Sequence, residues 1–335
     1  MKAIVYHNYG SPDVLRYEEI EKPAAGDDEA LIRVRAASVN PLDWHFMRGE
    51  PYIVRIQGGL SKPKDIRLGV DLAGQVESVG RNVTQFQPGD EVFGTSKGAF
   101  AEYVCAPEKA LAPKPANLTF EQAAAVPVAG AFTALQGLRD KGRIQPGQKV
   151  LINGAAGGVG TFAVQIAKAF GADVTGVCST RNVDMVRSIG ADHVIDYTQE
   201  DFTQSAQRYD LILDSAANHS LSACRRVMRP TGNYIIVGGP DRGRWIGPLI
   251  LPLKALSLSP FVSQKLRMFL ARSNKEDLVV LKELIEAKKV TPVIDRSYTL
   301  SEVPEAIRYL EEGHARGKVV ITLEHNHESR QHATR

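Results

Sequence analysis

Gly154-Ala155-Ala156-Gly157-Gly158-Val159-Gly160 is the stretch on which the reading of this chain turns. Lys149-Val150-Leu151-Ile152-Asn153 before it reads as a short buried strand, and Gly160 to Phe170 after it as an apolar helix. Glycines between a strand and a helix do two jobs. Gly157 lets the backbone approach a pyrophosphate, and Gly160 lets the helix pack closely on the strand. The N–H groups left unpaired at the start of the helix then face the phosphate charge. The strict G-x-G-x-x-G spacing is not met, because Ala155 holds the first glycine position. An ordinary strand-to-helix turn could carry the same glycines, so the context has to decide.

Working outward, strand and helix signals alternate. Asp173 to Cys178 reads as a strand and Asn182 to Ile189 as a helix; His193 to Tyr197, Leu211 to Asp214 and Asn233 to Val237 read as further strands. This alternation means parallel βαβ units and an α/β chain with a doubly wound sheet, expected over residues 125–265. Inside such a sheet the glycine stretch reads as a dinucleotide loop, with Ala156, Gly157, Gly158, Val159 and Gly160 as cofactor contacts.

Residues 1–124 have another texture. Ala30 to Ala36 and Gly74 to Gly80 alternate at period two, punctuated by turns such as Gln87-Pro88-Gly89-Asp90. Strands return at Val293 to Asp295 and Gly317 to Leu323, and residues 266–324 are expected to rejoin this β-rich domain. Residues 325–335 read as a flexible polar tail. Thr119 followed by Gln122 is a capping box that opens a helix.

Composition sets the outer bounds. The chain has 335 residues, enough for two cores, and 41 basic against 38 acidic residues leave a net charge of +3. No basic stripe suggests a nucleic-acid partner. With 43% hydrophobic residues and three isolated cysteines, disordered and disulfide-framework classes are excluded, and no four-thiolate zinc lobe is available. The longest apolar stretch, Pro248 to Val262, is broken by Pro252, Lys254 and Pro260, so no transmembrane segment is expected. A cytoplasmic location is the simplest expectation. The choice of dinucleotide is read at the end of the second strand, Val177-Cys178-Ser179-Thr180-Arg181-Asn182. A carboxylate there would bind the ribose 2′-OH of NAD; Ser179 and Arg181 instead suit the 2′-phosphate of NADPH. The competing reading makes Arg181 a plain surface charge.

Further motifs give a family resemblance: Ala37-Ser38-Val39-Asn40-Pro41-Leu42-Asp43, Gly69-Val70-Asp71-Leu72-Ala73-Gly74-Gln75-Val76, Phe86 to Val92, and Ala315-Arg316-Gly317-Lys318-Val319-Val320. With the glycine loop, they resemble zinc-free quinone oxidoreductases (the zeta-crystallin-like type) of the medium-chain dehydrogenase/reductase superfamily, from Met1 to about Leu323. The resemblance implies a GroES-like substrate domain around a Rossmann domain, with the active site between them, and a homodimer. It further implies Asn40 and Asp43 near the nicotinamide ribose, Thr133 under the nicotinamide, Tyr197 beside the adenosine phosphate, Gly238 and Gly239 bordering the nicotinamide, and Lys318 as a cofactor contact. Zinc-dependent relatives carry Cys at the place of Asn40 and His-Glu at Val70-Asp71, with a third ligand near Ala129–Ala131. The resemblance therefore implies no metal, and hydride transfer to a quinone or α,β-unsaturated carbonyl, whose conjugation spreads the developing charge.

Tyr52 and His45 are the candidates for delivering a proton. Some quinone reductases carry tyrosine where this chain has His45, so its role does not transfer, and packing beside Trp44 and Phe46 is the plainer reading. Two other classes compete with the enzyme reading: an NADPH-binding redox-sensing or structural protein with little turnover, and a membrane-associated reductase of lipid quinones using residues 245–262.

Overall fold

The structure, a computed structural model, describes residues 1–238 and 263–323. Two large sheets carry it, beside a two-stranded ribbon of Lys2–Val5 and Arg16–Glu19. The first is parallel throughout, in the order His193–Asp196, Asp173–Cys178, Lys149–Asn153, Tyr209–Asp214, Met228–Ile236, Lys265–Met268. Numbered along the chain, that is the 3-2-1-4-5-6 order of a dinucleotide-binding sheet. Helix Gly160–Ala169 is buried from Gly160 to Ala167, as an apolar helix lying flat on a sheet must be.

The second sheet is mostly antiparallel and centres on the long strand Glu29–Val39. That strand pairs with Asp71–Val79, Tyr103–Pro107 and Lys318–Thr322. Ile294–Thr299 adds a parallel partner to Lys318–Thr322, so the chain does return to its first sheet after the parallel one.

The strand Lys265–Met268 runs across the expected divide at 265/266 and belongs to the parallel sheet. Helix Lys275–Glu286 buries Leu278, Leu281 and Ile285 in the same core as helix Gly160–Ala169. Two of the four residues in that edge strand are charged and only Leu266 is buried, which leaves little periodic signal.

Residues 127–141 form a helix absent from the sequence reading. Its ends are wound wide, with Ala131 N–H donating to Val126 C=O and Gly142 N–H to Gly137 C=O, five residues back in each case; one α turn, Thr133–Leu135, lies between. Wide turns of this kind often accompany functional sites. This helix passes the glycine loop, since a Cβ on Gly130 would lie 3.3 Å from Gly158 C=O. Among the described residues no helix is long and apolar enough to cross a membrane.

Candidate functional site

In the parallel sheet the strand order reverses between Lys149–Asn153 and Tyr209–Asp214, and a crevice opens at their carboxyl ends. A cleft of about 330 Å³ lies there, lined by Asn153, Gly154, Ala156 and Gly157 on one side and by Ser215, Ala216 and Asn218 on the other. Each glycine has its own reason. Gly154 sits at φ +85°, and a Cβ on Gly160 would fall 2.0 Å from Gly154 C=O, so Gly160 is required for packing. Gly157 would meet only Gly154 C=O, at 3.5 Å, so its smallness leaves open space at the cleft. Ala155 replaces the usual glycine because the room is made next door: its methyl sits opposite Gly176, where a second Cβ would be 3.1 Å away. Val159 and Gly160 begin the helix, and Gly158 lies against the Lys318 side chain, 3.4 Å from an added Cβ.

Beneath the loop is a polar floor that the sequence reading missed. Asn153 Nδ2 donates to Asp214 Oδ1 at 2.8 Å and to Asn218 Oδ1 at 3.0 Å. The hydroxyl of Tyr234 donates to Asp214 Oδ2 at 2.6 Å, and the backbone N–H of Ala217 to Oδ1 at 2.7 Å. Burial, with the Asp214 charge beside it, pushes the Tyr234 phenol well above its usual value, so it stays a donor. A residue at the carboxyl end of the fourth strand is where such a partner belongs, and Leu213-Asp214-Ser215 carried that signal.

Ser179, Arg181 and Tyr197 converge in one pocket with Thr180 and His314 at the far end of the cleft. Tyr197 is 55% exposed, a large ring face open for stacking. An Arg181 Nη2 N–H donates to the His314 carbonyl, 2.9 Å away, tying the pocket to the other sheet. The nearby carboxylate, Asp196, accepts from the Thr180 hydroxyl at 2.6 Å and from Thr198, which hold it below the usual carboxylate range.

The second group of predicted residues gathers at the end of strand Glu29–Val39. Asn40 opens helix Pro41–Arg48, and its backbone N–H donates to Asp43 Oδ2 at 2.7 Å. Its Nδ2 donates to Ser38 C=O and to Asp71 Oδ2, at 3.1 and 3.0 Å. The Lys318 ammonium donates to Asn40 Oδ1 and lies 3.6 Å from Asp71 Oδ2. All four side chains are buried, Lys318 at 3% exposure. Burial pushes Asp43 up to about 7, against the pull of the Asn40 N–H; Asp71 adds to the rise, while Lys318 and the Gly69 N–H oppose it. Its Oδ1 makes no well-aligned hydrogen bond, although the Gly69 amide faces the carboxyl. Burial lowers Lys318 from its ordinary value, against Asp71 and Asp43.

This donor set does not suit zinc. Val70 has no ligand atom, and the Asn40 amide is committed to Asp71. Among the described residues no three His, Cys, Asp or Glu gather as a metal site. An ammonium stands among these groups instead.

The remaining predicted residues fall as follows. His45 stacks on Trp44 with ring centres 3.7 Å apart, and its Nδ1 sits 2.7 Å from Glu50 C=O, an arrangement that packing alone explains. The Arg55 guanidinium lies over the Tyr52 ring at 4.7 Å. Thr133 is buried in the helix that flanks the glycine loop. Gly238 lies against Ser215 C=O, 2.5 Å from an added Cβ. Gly239 and Trp245 to Val262 lie outside the described residues.

Residues 26–116 match the alcohol dehydrogenase GroES-like domain, and residues 189–321 the zinc-binding dehydrogenase family. The mouse NAD(P)H oxidoreductase RTN4IP1, mitochondrial, is 35% identical over 96% of this chain and 89% of its own. The 2-methylene-furan-3-one reductase of Solanum lycopersicum is also 35% identical, over 96% of this chain and 79% of its own. The quinone oxidoreductase structure from Coxiella burnetii superposes with a TM-score of 0.85 at 32% identity, covering 97% of this chain and 99% of that one.

The chain belongs to the medium-chain dehydrogenase/reductase superfamily. Within it the chain is of the quinone-oxidoreductase type, with a GroES-like domain and a Rossmann-like parallel sheet. It is an oxidoreductase that uses a pyridine nucleotide, and the glycine cradle, the polar floor and the Tyr197 face are what such a ligand requires. Its relatives include mitochondrial and chloroplastic proteins.

Proposed function

We propose that the protein is a zinc-independent, NADPH-dependent reductase of quinones or α,β-unsaturated carbonyls. The observation that carries the choice of NADPH is the pocket of Ser179, Arg181 and Tyr197, which among the described residues holds a cation and no unpaired carboxylate. When bound, the cofactor supplies a hydride from C4 of its nicotinamide. The protein's residues do the rest. Ala156 to Gly160 hold the pyrophosphate, Arg181 and Ser179 the 2′-phosphate, and Asn40 and Lys318 the nicotinamide end. Thr133 and Gly238 bound that end.

The buried amine of Lys318 supports the zinc-free reading, because it already occupies the Asn40 and Asp71 oxygens that a metal would need. With no Lewis acid to hold an alkoxide, the substrate must delocalise its own charge, as quinones and enones do. Asp43 orients Asn40 through its backbone N–H; Tyr52 is the stronger candidate for a proton donor, since His45 is held by Trp44 and Glu50.

Steady-state assays with NADPH and NADH across quinones, enones and saturated aldehydes test this function. NADPH-dependent turnover of the conjugated substrates is expected. A preference for NADH, or turnover of saturated aldehydes alone, overturns it, and tight NADPH binding without turnover on any electrophile favours the redox-sensing reading. Arg181→Ala should raise the KM for NADPH about tenfold or more, and leave that for NADH within about twofold. A homodimer is supported by the edge strand Lys265–Met268, where Met268 is 42% exposed and Leu270, just beyond it, 85%. Sedimentation of the wild type and of Leu270→Glu tests it; an unchanged dimer in the variant removes this strand as the interface.

A further inference from the structure

Asn182 stands at the start of helix Val183–Ser188, where asparagine ordinarily caps the first turn, yet its side chain makes no cap bond. It turns back instead, and Nδ2 donates to Ser179 Oγ at 3.1 Å while its backbone N–H donates to Ser179 C=O at 2.9 Å. The residue is 6% exposed and borders the cleft, and its Oδ1 is buried with no partner. Two local preferences are thus sacrificed at one residue, a helix cap and a buried acceptor's hydrogen bond. What is gained is a fixed Ser179.

A hydroxyl has one proton and two lone pairs. With an amide N–H occupying a lone pair from the protein side, the Ser179 proton is left free to point into the cleft, where Arg181 and Tyr197 also lie. A phosphate monoester needs donors around it and offers only acceptors, whereas a ribose hydroxyl can take either role. We propose that Asn182 is a positioning residue for cofactor selection: it commits Ser179 to act as a hydrogen-bond donor and so favours a 2′-phosphate over a 2′-hydroxyl. This rests on the NADPH reading given above and adds to it a residue that acts through Ser179.

The test is equilibrium binding, free of turnover: calorimetric titration of the protein with 2′,5′-ADP and with 5′-AMP, which differ only in the 2′-phosphate. Ser179→Ala should cut the preference for 2′,5′-ADP about tenfold. Asn182→Ala should cut it about fivefold when Ser179 is present and by less than about twofold in the Ser179→Ala background, because its effect passes through the serine. Asn182→Asp, close in shape, would accept the serine proton and turn it inward, and should lose the preference at least as strongly while 5′-AMP affinity holds. If Asn182→Ala costs the same preference with and without Ser179, or if both ligands weaken equally, the positioning role is overturned. If Arg181→Ala and Ser179→Ala fail to separate the two ligands at all, the NADPH reading falls first and this one with it.

Discussion

At the scale of single residues, Asp43 is the side chain whose chemistry departs furthest from its type. Its carboxyl is pushed up to about 7 chiefly by burial, so it takes up a proton near neutral pH in the folded protein. An unfolded Asp titrates near 3.9. Between these values the folded state binds more protons than the unfolded one, and stability falls as pH rises. The loss begins above about pH 4 and is complete a little above pH 7. Asp43→Asn keeps an acceptor for the Asn40 N–H and has no proton to exchange, so this part of the pH dependence should vanish. Denaturant melts at about pH 5 and pH 8 should show the wild type losing on the order of 2 kcal/mol more than the variant across that interval. Equal losses would place the neutral-pH titration elsewhere. None of this was legible in Asn40-Pro41-Leu42-Asp43, because the burial is made by the fold and the charges that modulate it, Asp71 and Lys318, lie far along the chain. Asn182 was equally silent: the sequence places it only at the start of a helix, and only the fold shows that its amide turns to Ser179.

At the scale of elements, the glycine loop separates packing from binding in a way that two substitutions can read. Gly160→Ala drives a methyl into Gly154 C=O, 2.0 Å away, and the backbone on both sides is fixed by strand and helix. It should cost about 1–3 kcal/mol by overpacking, seen as a lower Tm, whether or not a cofactor is present. Gly157→Ala meets only an ordinary contact at 3.5 Å, so Tm should hold, while the added methyl occupies the space left for the pyrophosphate and weakens NADPH binding about tenfold or more. Stability lost at Gly157, or binding kept there, would mean the two glycines had been assigned the wrong roles. The loop, its strand and its helix were legible because both flanks are strongly periodic and buried. The helix at 127–141 was not. Its Gly130 and Gly137, with Gly142 just beyond, read as breakers, and its wide turns do not repeat at 3.6 residues. The edge strand Lys265–Met268 was lost for the opposite reason, having too little buried surface to show any period.

At the scale of the whole molecule, Lys318 joins the two sheets. Its strand belongs to the antiparallel sheet, its side chain runs along Gly158 of the parallel one, and the neighbouring Gly317 N–H donates to Ala156 C=O at 2.8 Å. Its ammonium then reaches Asn40 and Asp71 in a site closed to water. An ion pair so buried contributes little net stability, since desolvating both charges offsets their attraction, but breaking it strands one of them. Lys318→Met should therefore destabilise the protein by about 3–5 kcal/mol, because Asp71 is left buried without its cation. The double variant Lys318→Met, Asp71→Asn removes both charges and should recover most of that loss, since an amide oxygen at that position still accepts from Ser38 and Asn40. Stability and catalysis part at this point. The recovered double variant should still bind NADPH, through Arg181 and the glycine loop, yet turn over enones about a hundredfold more slowly, having lost the fixed positive charge beside the nicotinamide end. Thermal melts, cofactor titration and kcat on the wild type and the two variants measure the three effects separately. Full activity in the double variant would show that Lys318 serves only to hold the domains together.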